Sequence, residues 1–271
     1  SIICRVQTRS GLQEKQILEA LTGQQKKAHL LSPLPGYLQI LSQSLPDGHP
    51  WCDNLDIWSN HTTLPYFLYF DPPNLRDHWQ QKLLNTANCQ PFGLALGLTT
   101  YKGQALVSNP RYCPQCAKRQ MEQFGFTYFQ REHQLPWVFV CWKHNTPLSI
   151  GCAKCGPYPF KKNGLIMPGR CFCDKGAAFL PSANIEPSIR KQLYWLAQQS
   201  AYMVQSNGTK AKDVRVSLKA CLKNNGFCRG KSMMHEPVAS AIQDRFGEKF
   251  LSMVGYPAFK GDRESAWIRM L

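Results

Sequence analysis

Apolar residues recur at helical spacing through most of this chain. Ile2, Ile3, Val6, Ile17, Leu18 and Leu21 mark two short amphipathic helices broken at Ser10-Gly11, with Gly23 placed to end the second. Pro33, Pro35 and Gly36 interrupt the pattern, and Tyr37, Leu38, Ile40 and Leu41 resume it as far as Pro46-Asp47-Gly48. Over 51–73 aromatic residues mix with turn formers, which predicts irregular packing, and a helix follows over 75–84. Further on, 185–202 reads as a helix with Leu193, Trp195, Leu196 and Tyr202 available for a buried stripe, ended by Ser206-Asn207-Gly208. Two more helices fit 214–222 and 237–254, separated at Asn224-Asn225-Gly226.

Between these helical stretches the pattern breaks down and cysteines replace it. Seven of the twelve cysteines crowd between residues 113 and 173, six of them in close pairs. Disulfide frameworks belong mostly to small secreted domains, so this clustering points to metal instead. Cys4, Cys52, Cys89, Cys221 and Cys228 stand apart and read as buried or inert thiols. A Cys-x-x-Cys turn folds two sulfurs toward one point, and a tetrahedral zinc site needs two such pairs. Cys113-Pro-Gln-Cys116 followed by Cys141-Trp-Lys-His144 makes a three-cysteine, one-histidine site. Cys152-Ala-Lys-Cys155 followed by Cys171-Phe-Cys173 makes a four-cysteine site.

Pairing each couple with its nearest neighbour closes the shorter loops and is favoured, although loop entropy grows slowly and an interleaved cross-brace is the alternative. His133 is an alternative to His144 as fourth ligand, and the two-residue gap between Cys141 and His144 favours His144. Both sets are closed at four ligands, which implies structural zinc with no open position for catalysis. Redox use is disfavoured because the pairs come in series with a histidine partner, and haem attachment fails because Ala117 and Gly156 follow the second cysteines. His49, Cys52, His61 and His78 match no compact metal-binding spacing and read as structural. The aromatic run 124–137 offers Tyr128, Phe129 and Trp137 either to a thin core or to stacking on bases, and the core reading is favoured.

Charge changes the picture again. The chain carries a net charge of +15 over 271 residues, but residues 1–110 hold eight Lys or Arg against seven Asp or Glu. The excess lies beyond them, at ten against three over 111–175 and fourteen against seven over 176–271. Such asymmetry is expected where one face meets a polyanion, with nucleic acid as the favoured partner over a merely soluble basic surface. The candidate phosphate contacts are Arg111, Lys118, Arg119, Arg131, Lys143, Lys161, Lys162, Lys210, Lys212, Arg215, Lys219, Lys223, Arg229 and Lys231. Hydrophobic residues make up 43% of the composition and charged residues 18%, so the chain is expected to be globular. No stretch approaches the roughly 20 apolar residues of a bilayer crossing, and the start lacks a secretory signal, so a cytoplasmic, nucleoid-associated location is expected. The start without Met and the apolar patterns at both ends read as a fragment. Neither an acidic nuclease-like cluster nor a Gly-rich nucleotide loop is found, so no enzyme is expected.

Together these readings predict a mainly α, multidomain chain with helix-turn-helix-like elements flanking two small zinc modules. The expected divisions are an N-terminal helical domain at 1–110, a tandem zinc-binding region at 111–176, and a basic helical domain at 177–271 whose segment 232–256 can form a helix-turn-helix.

The residues also resemble a family. Arg111-Tyr-Cys-Pro-Gln-Cys116, Gly125, Tyr128-Phe-Gln-Arg-Glu-His-Gln-Leu-Pro136, Val140-Cys-Trp-Lys-His144, Pro147-Leu148 and the Cys152–Cys155 pair are similar, in order and spacing, to the TniQ/TnsD target-selector proteins of transposons. Asn60-His-Thr-Thr-Leu-Pro-Tyr66 is similar to a stretch upstream of the zinc region in the TnsD branch. The resemblance is good over about 50–175 and weaker elsewhere. It implies a non-catalytic protein that chooses where a mobile element inserts and passes the choice to an AAA+ ATPase regulator and a transposase. In the TnsD branch the selector reads double-stranded DNA itself, whereas CRISPR-associated TniQ proteins dock on an RNA-guided effector. The basic C-terminal third favours the first branch.

Overall fold

A computed structural model describes residues 9–13, 16–17, 19–20, 38–84, 109–158, 167–171, 173, 179–206, 214–230 and 232–254. Most of the first two predicted helices, the break at 33–36, and Lys161, Lys162, Lys210, Lys212 and Lys231 lie outside these residues. The described chain is mainly α, and its middle is built around two Cys/His clusters.

The first described helices are α1 (Leu38–Gln43), α2 (Asn54–His61), α3 (Leu64–Phe67) and α4 (Pro73–Leu84). The segment 51–73, expected to be irregular, instead holds a 3-10 turn (Pro50–Cys52) and two short helices. Local caps explain this. His49 Nδ1 accepts the Trp51 amide, and the Asp53 carboxylate accepts the Leu55 amide at the start of α2, satisfying donors that a helix start leaves open. Ile57, Trp58, Leu64 and Leu68 form a small core of their own, against which Leu41, Trp51, Phe67 and Trp79 pack.

Helix α5 (Pro114–Phe124) follows, with Pro114 at its first turn and Gly125 ending it at φ +71, where a side chain would be strained. A 3-10 turn (Arg131–Gln134) leads to a three-stranded antiparallel sheet of β1 (Ser149–Cys152), β2 (Gly156–Pro157) and β3 (Phe179–Pro181), in the order β2-β1-β3. Gly151 faces Pro157 on one side and Leu180 on the other. No larger residue fits there: an added Cβ would stand 2.2 Å from the Gly156 carbonyl oxygen.

The long helix α6 (Arg190–Gln205) buries Leu193, Ala197, Ser200, Ala201 and Val204 along one stripe. Trp195 and Tyr202, expected in that stripe, are 47% and 49% exposed, because at 3.6 residues per turn they fall nearly half a turn away, on the opposite face. Then come α7 (Val214–Asn224), a tight hairpin of β4 (Cys228–Arg229) and β5 (Ser232–Met233), α8 (His235–Phe246) and α9 (Glu248–Met253). The predicted continuous helix over 237–254 is split by Gly247, at φ +76 and ψ 156, so α8 and α9 meet at a one-residue corner. The hairpin was not anticipated, since four strand residues leave no readable period.

The principal core joins segments that the sequence divides. Cys113, Cys116, Leu135, Val138, Val140, Cys141 and Leu148 share one buried cluster with Ile189, Leu193, Ala197 and Val204 of the α6 region and Phe250, Leu251 and Val254 at the chain's far end. Tyr66 packs against it from the N-terminal side. Metal-binding loops are too thin to bury much apolar surface alone, and α6 supplies what they lack.

Candidate metal centres and basic surface

The first cluster is set by two local turns. Cys113 is the residue before α5 and Cys116 lies one turn inside, so both sulfurs project from a helix N-terminus, where the dipole favours thiolate. Opposite them, Asn145 at φ +49 closes a turn in which the Asn145 amide donates to the Cys141 carbonyl at 2.8 Å. This brings His144 back over Cys141. His144 Nδ1 stands 3.4 Å from Cys113 Sγ, 3.4 Å from Cys116 Sγ and 3.5 Å from Cys141 Sγ, and Cys116 Sγ is 3.7 Å from Cys141 Sγ. A zinc tetrahedron with ordinary bond lengths has edges of about 3.8 Å between sulfurs and about 3.6 Å between sulfur and nitrogen. The donor set fits zinc.

The sulfurs compete for protons in this space. Cys113 is held down to about 3, chiefly by the hydrogen bond from Cys116 and then by that from Cys141, while Cys116 is pushed up, first by Cys113 and then by Cys141. A divalent cation at the centre lets all three ionise together. His133, the alternative ligand, is 1% exposed and outside the four-residue set. It lies beside Cys141 and interacts with that thiol from outside the set.

The second cluster brings Cys152, Cys155, Cys171 and Cys173 together, with all four ligand atoms within 4.8 Å of one another. Cys152 ends β1, and its sulfur accepts the amides of Lys154 at 3.3 Å and Cys155 at 3.4 Å, the bonds that shape a zinc knuckle. Those amides, Cys155 first, hold the Cys152 thiol down to about 7, and contact with Cys173 pushes Cys155 up to about 12. Cys152 and Cys173 sulfurs lie 3.7 Å apart, a tetrahedral edge, while Cys171 and Cys173 approach to 3.0 Å, tighter than zinc would hold them. Three of these four cysteines are partly exposed, whereas three of the first four donors are buried. Both groupings are consecutive, not interleaved, and among the described residues they are the ones able to hold a metal. Cys52 instead donates to the Pro46 carbonyl, and His61 accepts the Trp51 indole N–H at 3.1 Å.

Aromatic rings surround the second cluster. Tyr112, Phe129 and Tyr158 meet edge to face or tilted, with centroids 5.9–6.5 Å apart, and the Tyr158 hydroxyl donates to the Arg170 carbonyl. Phe129 and Trp137 thus serve cores, and Tyr128 rests half-buried beside Phe124 and Phe126.

The candidate phosphate contacts divide by geometry. Arg111 turns inward, donating to the carbonyls of Leu135 at 3.4 Å, Pro136 at 3.3 Å and Val138 at 2.5 Å, and lying 5.0 Å from the Phe139 ring. Burial lowers its guanidinium to about 10. Arg131 also points to protein, donating to the carbonyls of Ser59 and Thr62. Both guanidinium groups are thus engaged by backbone carbonyls of the fold. Lys118, Arg119, Lys143, Lys219, Lys223 and Arg229 are exposed. Lys118 stands 4.0 Å from Glu122, and Lys143 sits over the Trp142 ring. Arg215 lies on α7, and the remaining five candidates fall outside the described residues.

Sequence reasoning missed Gly151, whose signal is only the absence of a side chain, and the clamp role of Arg111, which no local pattern encodes. Among the described residues no helix is long and apolar enough to cross a membrane.

Comparison with known proteins bears on the whole arrangement. The chain is 27% identical over 279 residues to the transposon Tn7 transposition protein TnsD of Escherichia coli, an alignment covering 100% of this chain and 51% of that protein. It therefore spans about half the length of this curated relative. A sequence model of TniQ matches residues 1–148, more than half of the chain and all of its first metal cluster, and the chain belongs to the TniQ family.

Proposed function

We propose that this chain is the DNA-binding part of a transposition target-site selector. It binds duplex DNA at an attachment site and recruits the transposon's ATPase regulator and transposase, and two zinc ions hold its middle in shape. One observation carries the reading: the similarity to a transposition protein runs through all of this chain, including the basic C-terminal third beyond the family match. The zinc assignment is supported by the edge lengths of the first cluster and by the donor chemistry of both, since thiolates and imidazole in fours suit zinc. Of the candidate phosphate contacts, Lys118, Arg119, Lys143, Lys219, Lys223 and Arg229 are exposed and able to meet a phosphate backbone. The segments 1–110, 111–176 and 177–271 then act as functional regions around one shared core.

Nuclease protection on a chromosomal fragment carrying the insertion site tests this directly. Zinc-replete protein alone should protect a defined stretch, and protection should extend when the ATPase regulator is added. A chain that protects no DNA by itself, yet is retained by an RNA-guided effector complex, would be an adaptor instead.

A further inference from the structure

The segment 214–233 stands apart from the rest of the fold in packing and in charge. From Val214 to His235 the sequence carries Arg215, Lys219, Lys223, Arg229 and Lys231 and no acidic residue. Among the described side chains of α7 none belongs to a core cluster: Leu218 and Leu222 are half-buried, the others are exposed, and Val216 is 67% exposed. Lys219 and Lys223 follow one another at a four-residue step, about 6 Å apart along the axis, so like charges stack on one face. Like charges at this spacing weaken a helix, and no carboxylate of the segment relieves them.

Helix and hairpin are nevertheless locked into one unit. Past α7, Gly226 takes φ +75, and the Phe227 amide donates back to the Leu222 carbonyl at 2.8 Å. The Phe227 carbonyl in turn accepts the Met234 amide at 2.8 Å, and Arg229 pairs with Ser232 across a turn begun by Gly230 at φ +64. Arg229 is therefore carried, exposed, on a hairpin whose base is stapled to the end of the basic helix.

We propose that residues 214–233 form a DNA-contacting arm, in which Lys219 and Lys223 lie along a duplex phosphate backbone and Arg229 extends the contact from the hairpin. This rests on the DNA-binding reading above and deepens it by assigning the contact to one unit. Charge complementarity names the occupant, because an unbroken run of cations without a single acid suits a polyanion of regular spacing. Phosphate neutralisation removes the repulsion along α7, so DNA should also tighten the arm's own helix.

The test uses the full chain, loaded with zinc, and a duplex containing the protected site. Affinity is measured for wild type, for Lys219→Gln with Lys223→Gln, and for a charge-matched control, Lys82→Gln with Lys191→Gln, across about 50–200 mM salt. All these lysines are exposed, so circular dichroism should show every variant folded. The slope of log affinity against log salt should shrink by about 2 in the arm variant and stay unchanged in the control. Amide exchange in 214–230 should slow on DNA binding in wild type and slow less in the arm variant. Wild-type binding with an unchanged slope in the arm variant would overturn the arm and leave the selector intact, assigning the segment to an acidic protein partner. No binding by wild type removes both readings at once.

Discussion

Arg131 reaches back 69 positions to Thr62, whose carbonyl oxygen accepts from its guanidinium at 3.2 Å, with a second bond to the Ser59 carbonyl. These bonds tie the end of α2 to the turn between the metal-binding pairs, and they leave the cation facing protein. Arg131→Gln should therefore cost about 2 kcal/mol of stability without changing the salt dependence of DNA binding. Denaturant midpoints and salt titrations separate the two; a shallower slope with normal stability would return Arg131 to the phosphate contacts.

Arg111 holds the carbonyls of Leu135, Pro136 and Val138 in the loop before Cys141, close to where the first metal cluster closes. Replacing it with Met keeps bulk but strands those oxygens in a buried setting. A loss of about 3 kcal/mol is expected, together with faster transfer of one zinc to a chelator. Equal chelation kinetics in the two proteins would show that the clamp serves folding alone.

Gly151 sits between two strands with no space for a methyl group. Gly151→Ala should push β1 from β2, spread the second cysteine set and lower bound zinc from two to one per chain, at a cost of about 3 kcal/mol or more. Elemental analysis gives the stoichiometry.

The two metal clusters differ in exposure, which predicts an order of loss. A mild chelator should strip the Cys152–Cys173 set first and leave helicity largely intact. Removing the other metal, or making Cys141→Ser, should unfold α6 as well, because Cys141 and Leu193 share one core. Helix content followed against zinc release, which should fall only with the second metal, distinguishes this sequence from a single collapse.

Tyr66 packs, partly buried, against the principal core and is hydrogen-bonded to Ser200, and desolvation of its phenol pushes it up to about 12 from 10.0. The folded chain then holds its proton more tightly than the unfolded chain does. Its contribution is complete below pH 10 and is lost as pH rises toward 12. Thermal melting should fall over that interval, and less so in Tyr66→Phe; identical alkaline profiles would exclude Tyr66 as the cause.

Much of this was legible from residue order. The Cys-x-x-Cys pairs, the consecutive grouping and the preference for His144 follow from short-range spacing, because a metal knuckle is closed by neighbouring residues. Helices α4, α6 and α7 follow equally from local periodicity. Trp195 and Tyr202 were misplaced because they lie nearly opposite the stripe set by Leu193, Ala197 and Val204, and apolar character alone does not put a ring on the buried face. The hairpin at 228–233 is too short to carry a pattern, and Gly247 breaks a helix whose apolar spacing runs through it.

By itself the sequence determined the donor sets, the helical character and the charge asymmetry, since each depends on residues close in the chain. Only the tertiary structure decided which cations face outward. Lys219 and Arg131 carry the same formal charge, but one meets solvent and the other meets carbonyls contributed 69 and 72 positions away. It also decided that the metal clusters share a core with α6 and α9, because a thin metal-bound loop takes its apolar partners from wherever the chain returns.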